Sequence, residues 1–258
     1  MATLFNLTGK IAVISGASSG LGAAAARGFA DAGAAIVIMA RRKEKLDALA
    51  KEIEDKGRNV LAVACDVTNE ESVKSAIDKA IETYGKIDIL VNMAGVAVSG
   101  GVHDLTLEDW NKSIETNLTG VYLVSKYVVP HMIAANYGKI VNISSVNAII
   151  ADKLDVFIRH GYNASKAGVI GLTRGMAASY GKNNITVNAV GPGLFESEMT
   201  SDTLLSSESF VKGYNAANPM SRFAERGELN GTLLYFGSDA SSYVNGQYIT
   251  VDGGATIV

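Results

Sequence analysis

Tyr162 and Lys166 are the first candidates for chemistry, because they lie four residues apart in the stretch GYNASKAGVIGLT at residues 161–173. If this stretch is a helix, the spacing puts the phenol and the ammonium on one face. A phenol has a pKa near ~10, and a nearby ammonium lowers that pKa by favouring the phenolate. Such a pair can give a proton to a nascent alkoxide or take one from an alcohol. Taken alone, the pair fits a solvated surface contact equally well.

A glycine-rich turn is the second candidate feature. The segment SGASSGLG at 15–22 follows an apolar run and directly precedes an alanine-rich helical stretch. Glycines allow a tight turn and let a pyrophosphate approach the amides at a helix N-terminus. The spacing is G-x-x-x-G-x-G, not the dinucleotide fingerprint G-x-G-x-x-G, and turn formation alone is the alternative. We predict nucleotide binding by the turn residues Gly16, Ser18, Ser19, Gly20, Leu21 and Gly22.

The residues after the second apolar run indicate which nucleotide binds. A unit that prefers NAD usually carries an acid about 20 residues beyond the glycine turn, where it binds the ribose 2′-hydroxyl. Here Ala40 takes that position, and Arg41 and Arg42 follow it. A guanidinium can bind a 2′-phosphate through paired hydrogen bonds, whereas an acid would repel it. Two solvated arginines at a helix start are the alternative. The pattern favours NADP(H) over NAD(H).

Short runs rich in Val and Ile alternate with stretches of helical period along the chain. Runs that are apolar throughout indicate strands buried on both faces of a parallel sheet. We therefore predict an α/β fold with a doubly wound parallel sheet, the Rossmann fold, in a single domain over 1–258. The predicted strands are 10–16, 34–40, 59–67, 86–95, 138–146, 185–193 and 246–254, and the predicted helices are 21–33, 41–57, 70–85, about 106–135 and about 162–181.

The composition argues against several classes of protein. The chain has 258 residues, 48% of them hydrophobic, and a formal net charge of -3. It contains no basic patch of the kind that binds nucleic acid and no apolar run long enough to span a membrane. The single cysteine, Cys65, excludes an internal disulfide framework, and the N-terminus lacks the features of a signal peptide. We expect a cytoplasmic protein that acts on a small molecule, with no nucleic-acid partner, no membrane partner and no metal.

Eight short motifs together resemble the short-chain dehydrogenase/reductase family, in the family's order. They are SGASSGLG, CDV (65–67), NMAG (92–95), NLTGVY (117–122), NISSV (142–146), YNASK (162–166), GPGLFESEM (191–199) and VDGG (251–254). The resemblance implies a Rossmann-fold oxidoreductase that interconverts a secondary alcohol and a ketone with a nicotinamide cofactor. It also implies a homotetramer. In the family, the tyrosine of the Tyr-x-x-x-Lys motif is the general acid/base.

The resemblance also assigns catalytic roles. Tyr162 would transfer the proton, and Lys166 would serve both Tyr162 and the nicotinamide ribose. Ser145, the serine directly before the hydrophobic residue of NISSV, would hold the substrate oxygen, with Ser144 as the fallback. Asn117 would hold a water in a proton relay behind the lysine. Without the other motifs, a serine pair is as well explained by a turn and Asn117 by a packed amide.

Further residues are implied as cofactor contacts. Asp66 would bind the adenine amine, with the Val67 backbone beside it. The nicotinamide would be framed by residues after the sixth predicted strand, with the Phe195 backbone pairing its carboxamide. The remaining implied contacts are Asn92, Ala94 and Gly95 under the adenosine ribose, Pro192 and Gly193 beside the nicotinamide, and Ser197 in place of the family's usual threonine.

The substrate is the least constrained part of the prediction. Segments such as LFNLTGK and GLFESEMT most resemble the gluconate 5-dehydrogenase group. The substrate loops are expected at about 146–161 and 193–226, and the first contains Arg159, a possible partner for an anionic substrate. We keep 3-oxoacyl-thioester (acyl-carrier-protein) reductase and steroid dehydrogenase as alternatives, and a catalytically silent NADP-binding sensor as a different class.

One residue of the GPGLFESEM motif departs from the family pattern: Gly191 stands where alanine is commoner.

Overall fold

A seven-stranded, fully parallel sheet forms the centre of the protein. The computed structural model describes residues 4–151, 158–201 and 206–258, without the side chains of 199 and 201. The strand order is β3-β2-β1-β4-β5-β6-β7. The strands are β1 (Ile11–Ser15), β2 (Ala35–Ala40), β3 (Val60–Ala64), β4 (Ile89–Asn92), β5 (Gly138–Ile143), β6 (Ile185–Pro192) and β7 (Tyr248–Val251). The predicted doubly wound sheet is confirmed, with strands shorter than the apolar runs suggested.

Nine α-helices are present in the described part of the chain. They are α1 (Gly20–Asp31), α2 (Lys43–Glu54), α3 (Glu70–Tyr84), α4 (Leu107–Ile114), α5 (Gly120–Ala135), α6 (His160–Tyr180), α7 (Glu198–Ser201), α8 (Glu208–Ala217) and α9 (Asn230–Gly237). Helices α1, α2 and α9 pack on one face of the sheet, and α3, α5 and α6 pack on the other. No helix in the described ranges is long and apolar enough to cross a membrane.

Local sequence explains where the helices lie. On α2 the buried residues are Leu46, Leu49, Ala50 and Ile53, a spacing of three and four that gives one apolar face. The side chain of Asn69 caps α3 by accepting a hydrogen bond from the Ser72 amide. The same helix ends at Gly85, whose φ of 75° suits glycine. An apolar face such as that of α2 therefore packs the helix against the sheet.

The long helix predicted over about 106–135 is interrupted. A π-helical turn at Glu115–Thr119 separates α4 from α5. Such turns insert an extra residue and are frequent at functional sites. No pattern in the sequence predicted this turn, and no helix was predicted for 198–237, where the structure has α7, α8 and α9.

The topology places one edge of the sheet in position to bind a ligand. β1 pairs in parallel with both β2 and β4, so the chain reverses its direction of winding between these neighbours. In sheets of this kind, ligands bind outside the carboxyl ends of the strands at that reversal. The glycine-rich turn follows β1, and the YNASK motif lies on α6, which packs against β6. Both therefore approach the same edge.

The departure at Gly191 has a steric explanation. A Cβ atom built on Gly191 in β6 would lie 2.1 Å from the hydroxyl oxygen of Tyr248 in β7 and 2.5 Å from its Cζ. That hydroxyl donates a hydrogen bond of 2.7 Å to the Ser145 carbonyl. Gly191 on β6 therefore leaves the space that the Tyr248 side chain occupies.

Gly191→Ala should therefore lower the free energy of unfolding by about 1–3 kcal/mol, because the added methyl overpacks the space under Tyr248. Chemical denaturation measures this change. Gly213→Ala on α8 is the matched control, since a Cβ there meets nothing within 4 Å. In the double variant Gly191→Ala/Tyr248→Val, the two losses should be less than additive. Strict additivity would show that the two residues do not compete for space.

Candidate active site

A cavity of about 700 Å³ opens at the carboxyl edge of the sheet. Its walls come from the turn after β1, the ends of β2 to β6, α6, and the segment that follows β6. This volume is within the range of small-molecule and cofactor sites. The predicted catalytic and cofactor residues converge here, with the exceptions of Asn92 and Asn117, which are described below.

The glycine-rich turn has the geometry of a phosphate cradle. Gly16 and Gly20 adopt positive φ angles of 68° and 53°. A Cβ on Gly22 would lie 2.2 Å from the Gly16 carbonyl oxygen, so the close approach of α1 requires glycine. Helix α1 has no side-chain cap at Ser19 and no acid in its first turn. Its first amides and the positive end of its dipole are therefore open to an anion, as a dinucleotide pyrophosphate requires.

The two arginines after β2 also line the cavity. Arg41 is exposed. The Arg42 Nη2 atom donates to the Ser18 and Ser19 hydroxyls at 3.1 and 2.7 Å and pairs with a Glu198 carboxylate oxygen at 2.9 Å. No acid lies at the end of β2, because Ala40 occupies that position. The end of β2 is thus cationic, as the sequence predicted.

Asp66 and Val67, the predicted adenine contacts, line the cavity after β3. One Asp66 carboxylate oxygen accepts from the Thr68 amide at 3.0 Å and from its hydroxyl at 2.8 Å, which fixes the carboxylate at the cavity wall. Ala94 and Gly95 line the wall after β4. These residues can hold an adenine and its ribose.

Asn92 does not reach the cavity, although the sequence suggested that it would. Its side chain is buried and donates to Asn142 at 2.9 Å and to Ser125 at 3.2 Å. Asn142 in turn donates to the Thr173 hydroxyl at 2.9 Å. The amide therefore joins β4 to β5 and to α5, because Asn92 points into the protein interior and not toward the ribose.

The end of β6 and the segment after it also line the cavity, and the predicted nicotinamide contacts Pro192, Gly193, Phe195 and Ser197 are among the lining residues. The Phe195 ring is buried, and its carbonyl accepts from the Thr200 hydroxyl at 2.7 Å. The Ser197 hydroxyl lies 3.1 Å from the same Thr200 hydroxyl. A Cβ on Gly193 would lie 2.8 Å from the Asp252 side chain, so only glycine fits beside β7. The segment is thus shaped by close backbone packing.

Lys166 is buried at the floor of the cavity. Its Nζ donates to the Ile143 carbonyl at the end of β5 at 2.8 Å and lies 5.7 Å from the centre of the Tyr162 ring. Burial lowers the pKa of Lys166 to about 8. The ammonium is therefore held beneath the phenol, one helical turn away, as the spacing predicted.

The pKa of Tyr162 differs from the sequence-based expectation. Burial raises the pKa of this phenol, and a hydrogen bond from Ser145 and the positive charge of Arg159 act in the opposite direction. The expected lowering is therefore wrong for this structure, because the cost of burying a phenolate outweighs the hydrogen bond from Ser145 and the charge of Arg159. Tyr162 is a neutral phenol at neutral pH. Sequence reasoning placed Arg159 near the substrate but missed its effect on Tyr162.

The two serines of NISSV take different positions. Ser144 is buried, and its hydroxyl donates to the Lys166 carbonyl at 2.8 Å. The Ser145 hydroxyl lines the cavity beside Tyr162 and accepts from the Asn147 amide at 3.2 Å. The Tyr248 phenol holds the Ser145 carbonyl from behind. Ser145 is thus the serine that faces the cavity, and Tyr248 is a contact that no sequence motif indicated.

Asn117 lies in the π-helical turn and is fully buried. Its side chain accepts from the Val96 amide at 2.8 Å and donates to the Val96 carbonyl at 2.9 Å and the Ser165 hydroxyl at 3.0 Å. A Cβ on Gly95 would meet Asn117 at 3.1 Å and Lys166 at 3.4 Å. Asn117 and Lys166 therefore both lie close to Gly95, and the Asn117 amide fixes the segment after β4.

The described residues contain no group of three or more His, Cys, Asp or Glu side chains that could hold a metal ion. The buried Cys65 lines the adenosine side of the cavity, and burial raises the pKa of its thiol to about 11. It is therefore a protonated, apolar part of the wall at neutral pH.

Comparison with known proteins identifies relatives over nearly the whole chain. A family model described as enoyl-(acyl carrier protein) reductase matches residues 16–256. The chain is 39% identical to the 3-oxoacyl-[acyl-carrier-protein] reductase FabG of Thermotoga maritima over 97% of its own length and 99% of that protein. It is 36% identical to the gluconate 5-dehydrogenase of Gluconobacter oxydans, over 98% of its own length and 97% of that protein.

A solved structure extends the comparison to the fold. A gluconate 5-dehydrogenase from Burkholderia cenocepacia, solved in complex with NADP and tartrate, is 37% identical and superposes with a TM-score of 0.94, over 100% of this chain and 99% of that one. The glycine cradle, the open cavity and the Tyr162–Lys166 pair fit the same architecture. The chain belongs to the short-chain dehydrogenase/reductase family and is an oxidoreductase that acts on CH–OH groups with a nicotinamide cofactor.

Proposed function

We propose that this protein is an NADP(H)-dependent oxidoreductase that interconverts a secondary alcohol and a ketone, with Tyr162 as acid/base, on a sugar acid such as gluconate. The observation that carries the proposal is the convergence of Tyr162, Ser145 and Lys166 in one cavity beside Arg159. The proposal takes residues 1–258 as one domain, with substrate loops at about 146–161 and 193–226. A cytoplasmic location stays a prediction.

Tyr162 is suited to deliver a proton. In carbonyl reduction the oxygen of the substrate becomes an alkoxide and needs a proton at that moment. The raised pKa of Tyr162 keeps the phenol protonated at neutral pH, so the donor is ready. Alcohol oxidation needs the phenolate, so that direction should become faster as pH rises. The nicotinamide, when bound, supplies or accepts the hydride.

Ser145 and Lys166 support that proton transfer. Tyr248 holds the Ser145 carbonyl, so the position of Ser145 does not depend on the substrate. From this position the Ser145 hydroxyl can donate a hydrogen bond to the substrate oxygen. The Lys166 ammonium stabilises negative charge as the phenol gives up its proton. Asn117 holds the segment after β4 that packs against the lysine.

Tyr162→Phe should lower kcat by roughly 10²–10⁴-fold, because it removes the proton donor and keeps the ring. Steady-state assays of carbonyl reduction measure this loss, and fluorescence titration of NADPH serves as the control and should give an unchanged Kd. A variant with turnover within a factor of two of the wild type would refute the role of Tyr162.

The cationic end of β2 supports NADP(H) over NAD(H). Arg41 and Arg42 lie beside the phosphate cradle, and a 2′-phosphate carries the charge that a guanidinium binds best. Asp66, Val67, Ala94 and Gly95 would hold the adenosine, and Pro192, Gly193, Phe195 and Ser197 would frame the nicotinamide.

The double variant Ala40→Asp/Arg41→Ala should reverse the cofactor preference. It introduces the acid that repels a 2′-phosphate and removes one cation that binds it. The measured quantity is kcat/KM with NADPH and with NADH, for the wild type and the variant. A wild type that prefers NADH would contradict the proposal before any substitution is tested.

Arg159 supports an anionic substrate. Arg159 and Ile150 line the cavity next to Tyr162, so the substrate would lie between a cation and an apolar side chain. His160 faces away, since its Nδ1 accepts from the Val102 amide at 2.9 Å. Residues 152–157 of the same loop, including Lys153 and Asp155, lie outside the described residues. A carboxylate would meet the guanidinium in a charge-assisted contact.

Arg159→Ala should raise KM for a carboxylate substrate by roughly ten- to a hundredfold, because it removes one charge-assisted hydrogen-bonded contact with the substrate. A neutral ketone of similar size is the matched control and should lose much less. The NADPH Kd should not change. Equal losses for anionic and neutral substrates would show that Arg159 acts on Tyr162 or on the loop alone.

A 3-oxoacyl-thioester reductase is the second candidate, because the Thermotoga maritima relative with that name is 39% identical over nearly the full length of both chains. Steroid dehydrogenases share the same chemistry. A catalytically silent NADP sensor is a weaker candidate, since it has no need of Ser145, Tyr162 and Lys166 together. Following NADPH absorbance with keto-sugar acids, ketoacyl thioesters and keto-steroids separates these candidates; no turnover with any substrate would favour the sensor.

We also propose a homotetramer. Large side chains are exposed on α4 and α5, among them Leu107, Trp110 and Tyr122. These two neighbouring helices would bury apolar area against a second copy of the chain.

A further inference from the structure

Glu198 lies in a cluster of groups that are built to hold an anion. One carboxylate oxygen pairs with Arg42 at 2.9 Å, and the other pairs with Lys45. The Ser19 hydroxyl also binds this carboxylate, and Arg42 contacts the hydroxyls of Ser18 and Ser19. Two cations and a serine hydroxyl therefore surround one negative group, at the mouth of the phosphate cradle.

The position of this cluster matches a phosphate on the adenosine ribose. Arg42 follows β2, where Ala40 leaves the ribose edge without an acid, and Ser18 and Ser19 belong to the turn before α1. Glu198 comes from α7, more than 150 residues away, and lines the same cavity. A carboxylate and a phosphate share charge and oxygen geometry, and both bind guanidinium and ammonium groups well.

The cluster keeps Glu198 ionised. The hydrogen bonds from Lys45, Arg42 and Ser19 lower the pKa of Glu198 to about 2. The carboxylate is therefore negative at neutral pH. A 2′-phosphate entering the cluster must displace this charge from Arg42 and Lys45, because two anions at the same cations repel each other.

We propose that Glu198 is an internal competitor for the 2′-phosphate of NADP(H), and that it sets how strongly the protein prefers NADP(H) over NAD(H). The carboxylate neutralises Arg42 and Lys45 when no 2′-phosphate is present. NAD(H), which has a hydroxyl at that position, does not need these cations and does not compete. This inference rests on the proposed adenosine site but adds a residue that weakens, not strengthens, NADP(H) binding.

The expected size of the effect is modest. The side chains of Arg42 and Glu198 are 46% and 47% exposed, so water screens their attraction. Removing the charge of Glu198 should therefore tighten NADPH binding by about three- to tenfold. A gain in affinity is distinctive, because a residue that only supports the fold loses affinity when it is changed.

The test is a set of binding titrations followed by nicotinamide fluorescence. Glu198→Gln keeps the shape of the side chain and removes its charge, and the NADPH Kd should fall about three- to tenfold while the NADH Kd stays unchanged. Glu208→Gln is the control: Glu208 is an exposed glutamate at the start of α8 and does not line the cavity. It should change neither Kd.

A nucleotide without nicotinamide gives a second readout. Adenosine 2′,5′-bisphosphate should bind Glu198→Gln more tightly than the wild type in calorimetry, and AMP should bind both equally. An NADPH Kd that is unchanged or higher in Glu198→Gln would overturn the inference, as would equal tightening for NADH. A wild type that binds NADH more tightly than NADPH, with Glu198→Gln still tightening NADPH alone, would instead overturn the proposed cofactor preference and leave the role of Glu198 standing.

Discussion

The buried ammonium of Lys166 is the constraint on which the rest of the site depends. Its Nζ donates to the Ile143 carbonyl at the end of β5, and its own carbonyl accepts from the Ser144 hydroxyl. These two bonds join α6 to β5 in both directions. Because Tyr162 lies one turn earlier on the same helix face, the junction also sets the distance between Tyr162 and Ser145. A buried charge costs free energy unless it is hydrogen-bonded, so the helix cannot slide without losing that partner.

A network of buried amides supports this junction from below. Asn92, Asn142 and Thr173 are hydrogen-bonded across β4, β5 and α6. Polar networks in a low-dielectric interior are rigid when their members are paired, since each broken bond leaves a buried polar group. Asn92 contributes to this network through its side-chain nitrogen, while its buried Oδ1 has no hydrogen-bond partner. Its position in the NMAG motif reflects the demands of the interior.

The sequence predicted the features that follow from a local pattern of residues and missed the contacts between residues that are far apart in the chain. Buried strands and amphipathic helices follow from the order of apolar residues, and the Tyr162–Lys166 pair follows from helical spacing. The contact of Tyr248 with Ser145 joins residues 103 positions apart, and no periodic pattern encodes it. The pKa of Tyr162 was misjudged because spacing reveals the neighbouring charge but not the burial, which is the larger influence here. Helices α7, α8 and α9 follow β6 and were not predicted, because each has ten residues or fewer, shorter than the window over which a helical period is counted.

The charge of the cavity differs from the charge of the whole chain. The chain carries a formal net charge of -3, yet cations lie at both ends of the cavity. Arg41 and Arg42 line it near the glycine-rich turn, with Lys45 next to them in its pair with Glu198, and Lys166 and Arg159 line it near Tyr162. A cleft with low-dielectric walls focuses the field of such charges, so under the proposed function the nucleotide phosphates and an anionic substrate would be attracted to opposite ends. Two acids, Asp66 and Glu198, line the cavity near the glycine-rich turn. Glu198 comes from the segment after β6, so its ion pairs with Arg42 and Lys45 join that segment to the residues after β2.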